Sequence, residues 1–352
     1  MPIGDDANMK MKTYIARRLG FALFSLIGLS ILVFYLARVI PGDPVLMMVP
    51  PGTSPKVIEE LRHTLGLDKP LYQQYLFWLE DVFRGDLGFS VYTQRSVTND
   101  VLEYLPISLE LVVLAALMEI VGSFLLGVLA GMHAYKWPDN LVRIVSYIGI
   151  SVPAFVWAII FQLIFALQLS LFPTGGLLDS QYMDIMRARR VTGFTSLDSL
   201  IAGRFDAFVN FVWHATLPAL ALCIGGMAQD ARIIRAGMVE NKEKEYIAMA
   251  KSQGLPQRLV MFKYLLKPSI IPAVTVMGMD IAAMLGNAFL VEKVFMWPGF
   301  SQHAIAAMLR SDLNTIVATV IVIGIIFAIV NIITDIMVAY LDPRIRLMEK
   351  GE

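Results

Sequence analysis

Long apolar runs separated by polar stretches set the organisation of the chain. The first, 19–40, carries one charge, Arg38, near its end. About 20 such residues suffice for a helix to cross the hydrocarbon core of a bilayer. The run precedes Pro41-Gly42-Asp43-Pro44, which is not a small-residue cleavage site, so it reads as a retained first span rather than a signal peptide. Further runs cover 108–132, 144–172, about 214–237, 270–291 and 315–341. The third is expected to bend at Ser151-Val152-Pro153. The fourth is apolar to Met227 and then carries Asp230, Arg232 and Arg235, so its second half is expected to leave the lipid. The pattern predicts an all-α membrane protein with six transmembrane helices.

The polar stretches orient those spans. Residues 41–106 form an insert with helices expected over Pro55–Leu65 and Leu71–Phe83, then a turn at Gly85-Asp86-Leu87-Gly88. It holds five Lys/Arg against nine Asp/Glu, which suits the side opposite the cytoplasm. Basic residues gather in 1–18 (Lys10, Lys12, Arg17, Arg18), in the link with Lys136 and Arg143, along Arg232 to Lys267, and in the tail 342–352 (Arg344, Arg346, Lys350). All fall inside if both termini are cytoplasmic. A second outer insert, 173–213, conflicts with this through Arg187, Arg189 and Arg190. Trp137, Tyr147 and Trp297 are expected in interfacial belts.

One polar interruption differs from a plain loop. Glu245 to Pro272 has Lys251, Arg258, Lys263 and Lys267 but a single acid, Glu245. Ile247 and Ala250 recur at helical spacing before Gly254 and Pro256, and Leu259, Phe262, Leu265 and Leu266 after them. This predicts a short helix, a Gly-Leu-Pro turn and a second helix running into the membrane. Such a helix-turn-helix, with no catalytic group, is shaped to be pushed by a partner.

Composition narrows the class. Hydrophobic residues are 57% of the chain, charged residues 16% and mean hydropathy +0.65, as in a multi-spanning membrane protein. Zero net charge gives no case for nucleic acid. The single Cys223 excludes an internal disulfide, and the four scattered histidines lack metal-ligand spacing. No Gly-x4-Gly-Lys-Ser/Thr, Gly-x-Ser-x-Gly or His-Glu-x-x-His occurs, so catalysis within the chain is not expected, which leaves transport, channel activity or a scaffold role.

Seven stretches in order carry a family resemblance. They are Arg17-Arg18; Ile40 to Pro44; Leu65 to Tyr75; Arg84-Gly-Asp-Leu-Gly-Phe-Ser90; Leu105-Pro-Ile-Ser-Leu-Glu-Leu111; Glu292-Lys-Val-Phe-Met-Trp-Pro-Gly299; and Leu341-Asp-Pro-Arg-Ile-Arg346. Over nearly its full length the chain resembles the first inner-membrane permease subunit of ABC importers for dipeptides and oligopeptides. The family's signature reads Glu-Ala-Ala, three residues, Gly, nine residues, Ile-x-Leu-Pro. Here Ala248-Met249-Ala250 replaces the triplet, Gly254 is in register, Tyr264 takes the Ile position, Leu266 matches, and the proline comes one residue late as Pro268. The resemblance implies the type I importer fold in the cytoplasmic membrane, with 238–268 as a cytoplasmic coupling segment. Its Glu245, Ala248, Ala250, Gly254, Leu266 and Pro268 would sit at the docking site of a separate ATPase. It also implies a homologous second permease, two ATPase subunits that bind the ATP and Mg, and an extracytoplasmic binding protein. The chain itself would hold no cofactor. Nickel or oligosaccharide permeases of the same family share these motifs.

Two acids inside spans are candidates for the translocation path, because an intramembrane charge costs a few kcal/mol. Asp280 lies mid-span and Glu119 lies mid-span in the second run. Pairing within the bundle is the alternative for each, and Glu110 and Asp335 read as interfacial. An ion-gradient-driven transporter acting alone is the competing class. It would leave the 245–272 stretch without a use, and no inverted repeat is visible to support it.

Overall fold

The computed structural model describes residues 4–39, 49, 52–64, 66–183 and 191–342. Pro41 to Pro44, Leu65, the run Arg187 to Arg190 and the tail Pro343 to Glu352 lie outside the described residues. Among the described residues the architecture is helical, with one isolated bridge between Phe89 and Ser96.

Helix α1 (Gly4–Val39) is followed by two short helices of the insert, α2 (Pro55–Thr64) and α3 (Leu71–Phe83). Helix α4 (Val97–Met132) starts well before the expected Ser108, because Pro106 is accommodated inside it. Helices α5 (Trp137–Ser151) and α6 (Ala154–Gln168) meet at 108°, far sharper than a bent single span. Val152 is extended, and Pro153 cannot donate to the preceding turn, so the helix stops and restarts. The last turns of α6, Gln162–Gln168, are π-helical.

After α7 (Thr195–Ile201) comes α8 (Phe205–Lys242), which occupies the centre of the bundle. At 38 residues it is about 57 Å long, against a hydrocarbon core of about 30 Å. It therefore continues past the lipid as one helix. Two short elements come next: α9 (Glu245–Ser252) and the start of α10 (Gln257–Asn287), whose Val260–Leu266 segment is π-helical. Then come α11 (Phe289–Val294), α12 (Phe300–Leu309) and α13 (Leu313–Leu341). Among the described residues five helices are long and apolar enough to cross a membrane, or six if the bent α5–α6 pair counts as one span.

Small residues let α4 and α8 approach. An added Cβ on Gly127 would lie 2.8 Å from the Ala231 carbonyl oxygen, and one on Gly131 would lie 2.7 Å from Met238 Sδ. This is the glycine-mediated contact that lipid-embedded helices use where the hydrophobic effect offers no drive. Helix α1 packs instead on α13: Leu29 fills the space at Gly324, and Arg18 pairs with Asp335 at 3.1 Å.

Polar groups fasten the outlying parts. Asp312 caps α13 through Thr315 N–H at 3.2 Å and accepts from Ser90 Oγ at 2.5 Å and Tyr92 N–H at 3.1 Å. Asn314 Nδ2 donates to the Phe89 carbonyl at 2.9 Å, completing a strap between insert and bundle. Glu110, expected at the interface, is instead buried, and it caps α7 through Thr195 and Ser196 N–H at 2.9 and 2.6 Å. Trp137 and Tyr147 are exposed, whereas Trp297 is fully buried, against the belt expectation. Its indole N–H donates to the Ile107 carbonyl at 3.2 Å and its ring lies 5.7 Å from Phe211.

These buried contacts have measurable effects. Asp312→Ala leaves Ser90 and Tyr92 N–H without an acceptor, each at about 1–3 kcal/mol. Limited proteolysis should then cut the 84–96 segment faster than in wild type; an unchanged cutting rate would remove Asp312 as the strap. Glu292, outside the long spans, accepts from Ser108 Oγ and from Gln302 N–H at 2.7 Å. Burial pushes its carboxyl from the ordinary 4.5 up to about 7, with the bonds from Ser108, Gln302 and Ser301 opposing. A carboxyl with a raised folded-state value stabilises the fold fully below its unfolded value and loses that contribution as pH rises through about 7. Thermal unfolding should therefore ease between about pH 5 and about pH 8. Glu292→Gln, which mimics the protonated acid, should flatten that slope.

Candidate coupling surface and intramembrane acid cluster

The 245–272 stretch folds as a helix, a turn and a second helix. Gly254 stands at φ +72°, a left-handed conformation that glycine adopts without steric cost, and its N–H closes the turn on the Lys251 carbonyl at 3.0 Å. Pro256 then precedes α10, and Pro268 sits in the first turn of the α-helical part after the π segment.

The apolar positions of this stretch divide between two jobs. Ile247, Ala250, Leu265 and Leu266 are buried, packed with Ile234 and Met238 of α8. Leu259 and Phe262, expected on the same face, point outward at 38% and 62% exposure. Tyr246 and Met249 join them at 41% and 61%. The stretch must first pack on its own bundle, so only the remaining apolar side chains face out. Of the signature positions, Glu245, Ala248 and Gly254 are exposed, Ala250 and Leu266 are buried, and Pro268 is half-buried.

A polar hinge ties this surface to the spans. Asn241, near the end of α8, donates from Nδ2 to the Gly237 carbonyl at 2.9 Å and to Ser269 Oγ at 3.1 Å. Its Oδ1 accepts from Tyr246 OH at 2.8 Å, and Ser269 Oγ donates back to the Leu265 carbonyl at 2.6 Å. One amide thus joins α8, α9 and α10. Nearby, Arg235 grips buried Asp139 through Nε at 2.9 Å and Nη2 at 2.7 Å, and Asp139 also accepts from Tyr135 N–H at 2.8 Å. Truncating one partner of a buried pair costs about 3–5 kcal/mol. Arg235→Ala is expected to lower the melting temperature of the purified protein at every salt concentration, whereas sensitivity to salt would mark an exposed pair.

Deeper in the bundle, Glu119 of α4, Asp230 of α8 and Asp280 of α10 each place one carboxylate oxygen within 4.8 Å of the others. The sequence marked Glu119 and Asp280, and the structure brings them together. It also adds Asp230, which the run of charges after Met227 had assigned to a section leaving the lipid. Glu119 and Asp230 are fully buried, and all four of their carboxylate oxygens lack a hydrogen-bond partner. Asp280 is half-buried and receives a long bond, 3.5 Å, from Gln229 Nε2. Glu119 and Asp280 form part of the wall of a cavity of about 440 Å³ between α4, α5, α6, α8, α10 and α11.

The family model described as binding-protein-dependent transport system inner membrane component matches residues 123–347. The N-terminal model of the same transport systems matches residues 11–112. The chain is 36% identical over 337 residues to the di/tripeptide transport system permease protein DppB of Pseudomonas aeruginosa, covering 96% of this chain and 99% of that protein. It is 35% identical over 318 residues to the probable D,D-dipeptide transport system permease protein DdpB of Escherichia coli, covering 90% and 93%. To the oligopeptide transport system permease protein AppB of Bacillus subtilis it is 29% identical over 336 residues, covering 95% and 99%. With two family models end to end along it and relatives matched over almost their whole length, the chain belongs to the inner-membrane permease components of binding-protein-dependent transport systems.

Proposed function

We propose that the chain is one permease subunit of an ATP-driven importer that moves di- or oligopeptides across the cytoplasmic membrane. It works with a homologous second permease, two ATPase subunits that bind the ATP and Mg, and an extracytoplasmic binding protein. The observation that carries the reading is the surface of Tyr246, Met249, Leu259 and Phe262, exposed on elements that Asn241 and Ser269 lock to two long helices. A large apolar patch on a short helix-turn-helix is a partner site, and its rigid backing lets displacement pass into the bundle. The relatives named for peptide transport support the substrate class.

The mechanism needs no reacting group in this chain. Closure of the two ATPases on ATP pushes α9 and the start of α10. The push travels through the Asn241–Ser269 contact into α8 and α10, which shift between two arrangements. Those helices carry Asp230 and Asp280, and with α4 they wall the cavity through which the substrate passes. Purification of the tagged chain from its native membrane tests the whole. Recovery of a second permease and ATPases, with hydrolysis raised by peptide plus binding protein, is the expected result. A chain that comes out alone and moves substrate in liposomes without ATP would sink the reading.

A further inference from the structure

We propose that the cavity beside Glu119 and Asp280 receives a primary ammonium group, the amino end of a translocating peptide, held by the carboxylates of Glu119, Asp230 and Asp280. The inference rests on the reading of the chain as a peptide importer subunit and adds the chemical group that the path recognises.

Glu119 carries the argument: it walls the cavity, is fully buried, and both its oxygens lack a partner. Asp230 is in the same buried state, and although it does not line the cavity, one of its oxygens lies within 4.8 Å of oxygens from Glu119 and Asp280. Buried carboxylates without donors are costly, and a proton shared between the neighbouring Glu119 and Asp230 supplies one donor for four oxygens, so the site has room for donors brought by something else. The nearby cations are directed elsewhere: Arg235 is held by Asp139, and Arg232 lies over the Tyr147 ring at 5.9 Å.

Geometry favours an ammonium. An alkylammonium has three N–H donors and no acceptor. With N–O distances of about 2.8 Å and tetrahedral angles, its three acceptors stand about 4.6 Å apart, inside the 4.8 Å limit within which the three carboxylate oxygens lie. A calcium ion takes about 6–8 oxygens, so the three acids would need further carbonyls or waters to complete its shell, whereas they match the three donors of an ammonium one for one. The cavity also has room for the rest of a short peptide. Its wall combines Ile150, Phe155 and Leu222 with Gln229 and Asn287, apolar surface for a side chain and amides for a peptide bond. Gly226 keeps the site open, since a Cβ there would lie 2.7 Å from Glu119 Oε2.

The test uses the intact transporter complex in nanodiscs, without the binding protein, and measures equilibrium binding of alanyl-alanine and N-acetyl-alanyl-alanine. Wild type should bind the free amine at least about tenfold more tightly, the scale of one hydrogen bond to a charged group. Asp230→Asn and Glu119→Gln should each erase that preference and leave the acetylated peptide's affinity unchanged. Should Asp230→Asn fail to assemble, Glu119→Gln and Gly226→Ala, which crowds the Glu119 carboxylate, make the same comparison. Equal binding of the two peptides, no binding of alanyl-alanine, or a preference that survives the substitutions would overturn the proposal. Displacement of alanyl-alanine by calcium chloride would overturn it in favour of a metal site. The importer reading fails separately, if alanyl-alanine does not stimulate ATP hydrolysis in the complete system. Normal stimulation without amine preference sinks the ammonium site alone.

Discussion

Replacing Met249 and Phe262 together with aspartate should abolish ATP-driven uptake while leaving the chain folded and inserted. Both side chains are more than half exposed, at 61% and 62%, so neither supports the bundle. If they are anchors in a partner's groove, each contributes about 2 kcal/mol or more, and burying a carboxylate there adds a desolvation cost. The pair should then weaken ATPase association by about a thousandfold, the equivalent of about 4 kcal/mol. The measurement is recovery of ATPase subunits with the tagged chain, beside its melting temperature. Full recovery of the ATPases with lost uptake would place the docking surface elsewhere. A large drop in melting temperature would mean that the residues are structural.

The second large effect separates docking from transmission. Gly237→Leu puts a Cβ 2.7 Å from the Ser269 carbonyl oxygen and 3.1 Å from its Cα, contacts with backbone that cannot swing aside. Overpacking of this kind costs about 1–3 kcal/mol and forces α8 and α10 apart. The Asn241–Ser269 bond is then lost although both residues remain. ATPase subunits should still bind, and hydrolysis should continue at its resting rate, but peptide should no longer raise it. Uptake is expected to fall by at least about tenfold. Peptide-stimulated hydrolysis at the wild-type level would show that the push takes another route into the spans.

Most of the architecture was legible because lipid imposes a simple rule. Apolar runs of sufficient length announced the long helices, and Gly254 with Pro256 announced the turn on the coupling surface. The geometry between helices was not legible. The α5–α6 junction read as a bend because Ser151-Val152-Pro153 interrupts one apolar run; the 108° between the two halves is a feature of the packed bundle that no apolar run encodes. Asp230 escaped for a related reason. Charges from Asp230 to Arg235 look like a helix leaving the lipid, yet Arg235 is neutralised by Asp139 and Asp230 is turned toward Glu119 and Asp280. Partners 96 residues apart along the chain leave no local pattern. Leu259 and Phe262 were read in one helically spaced set with Leu265 and Leu266, and the structure divides that set between an outward and an inward face. Helical spacing alone gives a stripe, and it does not say which part of the stripe the protein's own bundle consumes.

The pairing of α1 with α13 has a consequence for how the protein is made. Helix α1 leaves the ribosome well before its partner α13, with Leu29 seated at Gly324 and Arg18 joined to Asp335 once both are present. Until α13 is made, α1 has within the protein its contacts with α3, where Ser30 Oγ meets Tyr75 OH at 2.9 Å and Phe34 lies against Tyr75 and Trp78, and Arg18 lacks its acid. The rest of the bundle can gather around α8 in the meantime. A nascent chain stopped before α13 is thus an assembled core whose first helix is held through α3, with Arg18 unpaired by Asp335, a ready mark for membrane quality control. Arrival of α13 is the event that hides it.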